Sequence, residues 1–238
     1  MDRENVIERR KGRYILRFDP EAHVYTLEDG EEERVVPSVT GVLSILAKPR
    51  VNAWAMDLMA KRIVDNYEPG MDLGEVMALV DEAKRAHLEE SRKATETGSE
   101  VHDWIEAFIS GSVVELPEDE KARRAVERFM EWWDGIDAEP LLSEEIVAHP
   151  ELGYAGKIDL LLNDGTLVDF KTSRALYREY ELQLGGYALA LEAWYEVKAE
   201  RGLLVRLGKD GAFEVREVEL AQPTRLFSHL VEVYHYMR

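Results

Sequence analysis

The sequence feature that most constrains the fold is a pair of apolar segments separated by a turn signal. Residues 156–162 and 166–171 flank Asn163-Asp164-Gly165. Runs rich in Ile, Leu, Val and Phe on either side of an Asx-Gly turn are typical of a β-hairpin. The chain therefore has to build a sheet around this hairpin.

The loop length determines which side chains share a face of the hairpin. A two-residue loop would put Asp159 and Asp169 on opposite faces. A three-residue loop, a type I turn with Gly165 in a bulge, pairs Asp159 with Asp169, and Lys171 then shares their face because side chains alternate along a strand. Only this register sends all the apolar side chains to the other face, so we favour it. They are Ile158, Leu160, Leu162, Val168 and Phe170.

The favoured register places two carboxylates and an ammonium on one patch. Asp159 and Asp169 would repel each other unless a cation lies between them, and oxygen ligands suit Mg²⁺ or Mn²⁺. Lys171 can orient an attacking water or neutralise phosphate charge beside such an ion. Taken alone, the tripeptide at 169–171 is more typical of a solvated hairpin end, so the prediction depends on the residues that accompany it.

Further candidate ligands precede the hairpin. His102 and Glu106 are four residues apart in a helical segment and share a face, and histidine is a common metal ligand. Glu144 and Glu145 lie in the preceding strand, and one of them points towards the face that carries Asp159. Apolar pairs flank them on both sides, so either residue remains a candidate.

Gln183 and Tyr187 are four residues apart on the predicted helix that follows Lys171. They can contact the backbone of a substrate or brace the lysine. The alternative is that Tyr187 belongs to the core and Gln183 to the surface.

The length of 238 residues favours one domain. We expect a β-meander over 1–36, a helical part over 37–135 and a sheet-bearing core over 136–238. The fold class is therefore α/β or α+β, with a central mixed sheet flanked by helices.

Local signals set the helix limits that we expect in the helical part. Ser38 begins a helix that Pro49 ends. The spacing of Thr97 and Glu100 predicts a capping box that begins a new helix, and Gly111 ends it.

Five short motifs occur in an order that resembles one nuclease family. They are Gly98-x-x-x-His102, Glu144, Gly156-x-x-Asp159, Asp169-x-Lys171 and Gln183-x-x-x-Tyr187. In order and spacing they resemble the RecB-like nucleases of the PD-(D/E)XK superfamily, over about residues 98–187. Residues 36–43 together with Trp54 are also similar to the N-terminal part of phage-encoded members.

The resemblance implies a restriction-endonuclease-like core and hydrolysis of phosphodiester bonds with Mg²⁺ or Mn²⁺. It favours an exonuclease that acts on duplex DNA ends or single strands during recombination, replication or repair. A structure- or sequence-specific endonuclease and a catalytically silent DNA-end-binding scaffold are the alternatives. No nucleotide-binding motif of the Gly-Lys-Thr type occurs in the sequence, so a helicase, annealing or recombination partner would be a separate protein.

The resemblance also assigns roles by position. The metal ligands it implies are His102, Asp159, Asp169 and the carbonyl of Phe170. The catalytic set it implies is Asp159, Asp169, Lys171 and Glu144, with Glu145 as the competitor for the upstream acidic position. The substrate-binding residues we expect are Gln183, Tyr187 and Arg174.

Composition narrows these expectations. The chain has no cysteine, which excludes the cluster-bearing relatives that hold iron and sulfur through four cysteines. Its 48 acidic and 30 basic residues give a net charge of −18, so DNA contact must be confined to local basic groups. Candidate groups are Arg9-Arg10-Lys11 with Arg13 and Arg17, Lys48 with Arg50, Lys84-Arg85 with Arg92-Lys93, and Arg174 with Arg178.

The sequence shows neither a signal peptide nor an apolar run long enough to span a membrane. We therefore expect a cytoplasmic protein with no membrane partner, and a phage source is consistent with the resemblance.

Overall fold

A computed structural model describes residues 6–30, 32–47 and 49–238, without the side chains of Arg50 and His87. The described chain is a mixed α/β structure with two sheets and several helices. It divides into two compact units, one comprising the residues up to Ile45 with Val101–Arg238, the other Leu46–Glu100. No helix of the described ranges is long and apolar enough to cross a membrane.

The strands and helices follow one another along the chain with these bounds: β1 (Ile7–Lys11), β2 (Tyr14–Asp19), β3 (Val24–Asp29), β4 (Glu32–Val36), α1 (Val39–Leu43), α2 (Pro49–Asn66), α3 (Leu73–Ile109), α4 (Glu120–Trp133), β5 (Pro140–His149), β6 (Tyr154–Leu162), β7 (Thr166–Lys171), α5 (Arg178–Tyr195), β8 (Arg201–Leu207), β9 (Phe213–Val218) and α6 (Ala221–Tyr236).

The central sheet has the order β5-β6-β7-β8-β9 and is mixed, as predicted, because β7 and β8 are parallel while the other pairs are antiparallel. Helices cover both faces of β8. Val205 and Leu207 belong to a buried cluster with Phe129 of α4. Gly202 lies on the opposite face of β8 from Val205 and Leu207, and there it packs against Leu184 of α5.

The N-terminal strands form an antiparallel meander in the order β1-β2-β3-β4. Alternation buries Leu16 and Phe18 of β2 and Leu27 of β3, which pack with Ile146 of β5 and Trp194 of α5. β1 has the sequence IERRK, whose single apolar residue gives no alternating pattern from which this strand could be predicted. The meander is therefore a further layer within the first unit.

The hairpin of β6 and β7 has the three-residue loop that the sequence favours. Leu160 pairs with Val168 and Leu161 with Leu167. Gly165 has φ of +81° and its N–H donates to the carbonyl of Leu162 at 3.0 Å, which closes the turn. The predicted register is confirmed.

Not all side chains of the hairpin follow the expected division into one apolar and one charged face. Leu160, Leu162, Val168 and Phe170 join the cluster with α4. Leu161 and Leu167, which have the parity of the two aspartates, are also fully buried. The hairpin is thus covered on both sides, and its charged groups lie in a largely apolar environment.

The predicted helix boundary at Thr97 is wrong. A single helix, α3, runs through this position, and the Thr97 hydroxyl donates to the carbonyl of Lys93 at 3.1 Å. The capping box instead begins the helix, where Glu75 N–H donates to Asp72 Oδ1 at 2.9 Å and Asp72 N–H to Glu75 Oε2 at 2.8 Å. A Thr followed three residues later by Glu is compatible with a helix interior, because the hydroxyl can bond within the helix.

Pro49 was expected to end the helix that Ser38 begins. Ser38 does cap α1, since its Oγ accepts the N–H of Gly41 at 2.9 Å, but α1 ends at Leu43 and Pro49 is the first residue of α2. Proline suits a first helical position because the N–H it lacks would have no intrahelical partner there.

The crossing of α5 and α6 yields a stability prediction. A Cβ at Gly185 of α5 would lie 2.4 Å from the backbone carbonyl carbon of Pro223 on α6. We expect Gly185→Ala to lower the free energy of unfolding by about 1–3 kcal/mol, because backbone cannot yield as a side chain can. Chemical denaturation measures it. Gly135→Ala is the control, since a Cβ there meets nothing closer than 3.5 Å, and an equal loss in both variants would contradict the prediction.

Candidate functional site

The pairing between β6 and β7 ends at Leu160 and Val168. Asp159 and Asp169 are the next residues away from the turn, where the two strands separate. Asp159 Oδ2 accepts the N–H of Phe170 at 2.7 Å. This side-chain bond replaces the ladder partner that the Phe170 N–H would otherwise have. It also fixes the Asp159 carboxylate beside the strand that carries Asp169.

His102 joins Asp159 from the last part of α3. Its Nδ1 lies 3.6 Å from Asp159 Oδ1 and 3.7 Å from Glu144 Oε1. Val101 and Trp104, on either side of His102, are buried in the cluster with α4. The helix backbone that carries the imidazole is therefore held by the core.

Glu144, rather than Glu145, reaches this position. Ser143 pairs with Leu160 and Glu145 with Ile158, so Glu144 lies across from Asp159. Its φ of +49° is unusual for a residue other than glycine.

Glu145 has a different role. It accepts Arg9 Nη2 at 2.8 Å and also binds Arg9 Nε and the hydroxyl of Tyr195. Glu145 thereby ties the meander and α5 to β5, and the structure leaves Glu144 as the candidate at the upstream acidic position.

We call His102, Glu144 and Asp159 the His-Glu-Asp cluster. One ligand atom from each lies within 4.8 Å of the others, so these residues could hold a metal ion. An imidazole nitrogen with two carboxylates is a donor set that divalent ions from Mg²⁺ and Mn²⁺ to Fe²⁺ and Zn²⁺ can use.

Asp169 and Lys171 form an ion pair beside the His-Glu-Asp cluster. Asp169 is only 1% exposed, and apart from the contact of its Oδ2 with Lys171 its carboxylate has no partner within the described part of the chain. Burial raises the pKa of Asp169 to about 6, although the Lys171 ammonium opposes that rise. Asp169 is thus a buried carboxylate with unused ligand capacity, and its assignment as a metal ligand stays a prediction.

Lys171 is held from two sides. Besides Asp169, the ring of Tyr180 on α5 lies with its centroid 5.0 Å from Lys171 Nζ. Burial lowers the pKa of Lys171, but the carboxylates of Asp169 and Asp159 outweigh it and leave that pKa above its ordinary value. The ammonium is therefore charged at neutral pH.

Gln183 and Tyr187 lie together on α5, both buried. Gln183 Nε2 donates to the Tyr187 hydroxyl at 2.9 Å. The Tyr187 ring packs so tightly on Gly156 that a Cβ there would lie 2.7 Å from Tyr187 Cε1. This contact explains the glycine of the Gly156-x-x-Asp159 motif, and burial argues against Gln183 as a surface residue.

Arg174 is exposed in the loop that follows Lys171. The loop is anchored by Arg206 of β8, which is 7% exposed and whose Nε donates to the carbonyl of Ser173 at 2.7 Å. Arg174 can therefore contact a ligand from a fixed backbone. Its predicted companion Arg178 lies 3.6 Å from Glu181 in an ion pair.

The other predicted basic groups are mostly paired with acids. Arg9 binds Glu145, and Arg17 binds Glu8 at 2.9 Å and Glu28 at 2.8 Å. Further pairs join Arg13 to Asp29, Lys84 to Asp81 and Arg92 to Glu96. Lys48 and the side chain of Arg50 lie outside the described residues.

Two residues at the site were not predicted from the sequence. Lys157 forms an ion pair with Glu144, and Tyr180 covers Lys171. The period of two along β6 would have found Lys157, which precedes Asp159 by two residues. Tyr180 had no comparable signal, because its place depends on where the loop after β7 ends.

Comparisons with known proteins add little to this geometry. No protein-family model matches the chain, and no curated protein matches it. Among solved structures it is similar to one described as "Crystal structure of SSO0001", with 17% identity and a TM-score of 0.33 over 48% of this chain and 56% of that chain. The chain thus spans a little over half the length of that protein, and a likeness of this extent carries no inference about activity.

The charges of the His-Glu-Asp cluster determine the protonation state that we predict for His102. Burial lowers the pKa of His102, but Asp159 and Glu144 outweigh burial and raise it to about 10. Because this exceeds the unfolded value of about 6.5, the charged pairs stabilise the fold fully below pH of about 6.5. That stabilisation is lost as the pH rises through about 10.

In the presence of a chelator we expect ¹⁵N NMR to show a protonated His102 at neutral pH. His149 is the internal control, since burial lowers its pKa and keeps it neutral. Asp159→Asn should lower the pKa of His102. A neutral His102 in the wild-type protein would contradict the electrostatics of the cluster.

Proposed function

We propose that the protein is a divalent-metal-dependent DNA nuclease, and specifically an exonuclease that hydrolyses phosphodiester bonds at DNA ends or in single strands. The observation that carries this proposal is the convergence of the His-Glu-Asp cluster with the Asp169–Lys171 pair on one hairpin. Carboxylates, an imidazole and a lysine at one point are the groups that metal-assisted phosphodiester hydrolysis requires.

The proposed family is the RecB-like branch of the PD-(D/E)XK superfamily, with a restriction-endonuclease-like core. The motif order along the chain supports it, as does a central mixed sheet whose hairpin carries the acidic residues and the lysine. The absence of cysteine restricts the proposal to members without an iron–sulfur cluster.

The donor set fits Mg²⁺ or Mn²⁺. His102, Asp159 and Asp169 would hold the ion with the Phe170 carbonyl. In some members of the family the residue matched by Glu144 ligates a second metal directly or through water, but here Glu144 lies with His102 and Asp159 and could bind the same ion. Asp169 supports this assignment, because Lys171 contacts only its Oδ2, and its buried Oδ1 has no partner within the described part of the chain and is left to bind an ion. When bound, the ion lowers the pKa of a coordinated water and stabilises the charge that develops on the phosphate.

Lys171 supplies a fixed positive charge next to that water. Since Asp169 keeps the ammonium protonated, Lys171 orients the water and neutralises a phosphate oxygen rather than removing a proton. The Tyr180 ring is a second partner of the ammonium, and Gln183 and Tyr187 are buried on the same helix as Tyr180. Asp169 and Tyr180 hold the Lys171 side chain in one position, and no surface carboxylate is needed for this.

The path of the DNA is limited by charge. With a net charge of −18, most of the protein surface repels the phosphate backbone. Arg174 is the exposed cation that follows Lys171 along the chain and stands on an anchored loop. We therefore assign phosphate contact beside the scissile bond to Arg174.

Cleavage assays test the proposal. We expect the wild-type protein to digest end-labelled DNA with Mn²⁺ or Mg²⁺, and Asp159→Asn and Lys171→Met each to reduce the rate by about 100-fold or more. Asp164→Asn is the matched control: Asp164 lies in the turn of the same hairpin and pairs with Arg201, so its loss leaves the site intact.

The substrate panel separates the alternatives. Single-stranded, duplex and closed circular DNA should be compared, and an exonuclease leaves closed circles uncut. Cutting of circles would show an endonuclease instead. DNA binding by the wild-type protein without any cleavage would show a scaffold, and full activity of both site variants would refute the site.

Glu144 and Glu145 provide a second test, since they are neighbours with different partners. We expect Glu144→Gln to reduce cleavage strongly with little change in stability. Glu145→Gln should lower the free energy of unfolding by about 1–3 kcal/mol, because it weakens the contacts to Arg9 and Tyr195, while the folded variant keeps its activity. Thermal unfolding and the cleavage assay measure the two effects, and the reverse pattern would exchange the two roles.

A further inference from the structure

The two oxygens of Glu144 face different cations. Glu144 Oε1 lies 3.7 Å from His102 Nδ1, within the His-Glu-Asp cluster. Glu144 Oε2 forms an ion pair with Lys157 Nζ. The proposed chemistry gives Lys157 no role, yet its ammonium touches a residue of the site.

Lys157 is built into this place by the sheet. It lies on β6 two residues before Asp159, and it pairs with Ile146 on β5, two residues after Glu144. Its side chain is 34% exposed whereas that of Glu144 is 8% exposed. The ammonium therefore approaches the buried carboxylate from the solvent side, next to the cluster.

Hydrolases with two metal ions hold them about 3.5–4 Å apart, a spacing that one carboxylate bridges with an oxygen to each ion. Glu144 has the orientation of such a bridge, because its Oε1 faces the donors of one ion. At Oε2, where the second ion of a bridge would bind, stands Lys157. An ammonium and a divalent cation repel each other and cannot share that oxygen.

We infer that Lys157 takes the place of a second divalent cation, so that the site holds one metal ion; this inference rests on the proposed function. Charge supports it. Lys171 neutralises Asp169 and Lys157 neutralises Glu144. A second divalent ion at Glu144 Oε2 would have to displace the Lys157 ammonium from this carboxylate.

Counting bound Mn²⁺ tests the inference independently of cleavage. The full chain is titrated with Mn²⁺ by calorimetry at physiological ionic strength, and the bound ions are observed by electron paramagnetic resonance. We expect one ion in the wild-type protein and in Lys157→Arg, which keeps the charge. In Lys157→Met, which keeps the volume and removes the charge, we expect two ions with a spin-coupled spectrum.

Lys121→Met controls for the loss of a positive charge elsewhere, since Lys121 is exposed on α4; it should bind one ion. Circular dichroism checks that each variant is folded, and Lys157→Gln replaces Lys157→Met if the latter is not.

Two ions in the wild-type protein, or one ion in the folded charge-removing variant, would overturn the inference while the proposed nuclease stands. A wild-type protein that binds no ion would overturn both, and it is recognised by a flat titration.

Discussion

The burial of carboxylates on the β6–β7 hairpin is the constraint on which the rest of the site depends. Asp159 and Asp169 lie where the two strands separate, and water reaches them poorly. A buried anion is costly unless hydrogen bonds or cations compensate it. Three groups compensate these two carboxylates. They are the Phe170 N–H, the His102 imidazole and the Lys171 ammonium. The arrangement of the site is thus explained first by the need to compensate buried carboxylates, whatever chemistry it performs.

The surrounding fold keeps these compensating groups in place. The last part of α3 is anchored in the core around Phe129, which fixes His102. On α5, Tyr187 packs on Gly156, so the helix lies close to the sheet. Ion pairs that depended on flexible surface side chains would contribute little. Here the cations stand on backbone that packing has already fixed, so ordering them costs only the entropy of their side chains.

The sequence predicted what local rules govern. The register followed from the Asn-Asp-Gly turn and the period of two along the strands, which leave one acceptable pairing. The boundary at Thr97 failed because the spacing of a capping box also occurs inside a continuous helix. The choice of Glu144 over Glu145 depends on the register between β5 and β6, which the apolar pairs on both sides of the two glutamates do not reveal. Family comparisons test neither the site nor its chemistry, so the metal ligands and the activity remain predictions.

Charge links the site to the whole molecule. The protein carries −18 overall, and many of its basic residues are consumed in internal pairs, as with Arg9 on Glu145 and Arg17 on Glu28. A nucleic acid therefore meets a surface that repels it except where cations are left accessible. The same shortage applies at the His-Glu-Asp cluster, where Lys157 and Lys171 each cancel one carboxylate. Attraction for a polyanion then has to come from what is added at the site and from the exposed Arg174. Under the proposed function, divalent cations would govern the affinity for DNA as well as the rate of hydrolysis.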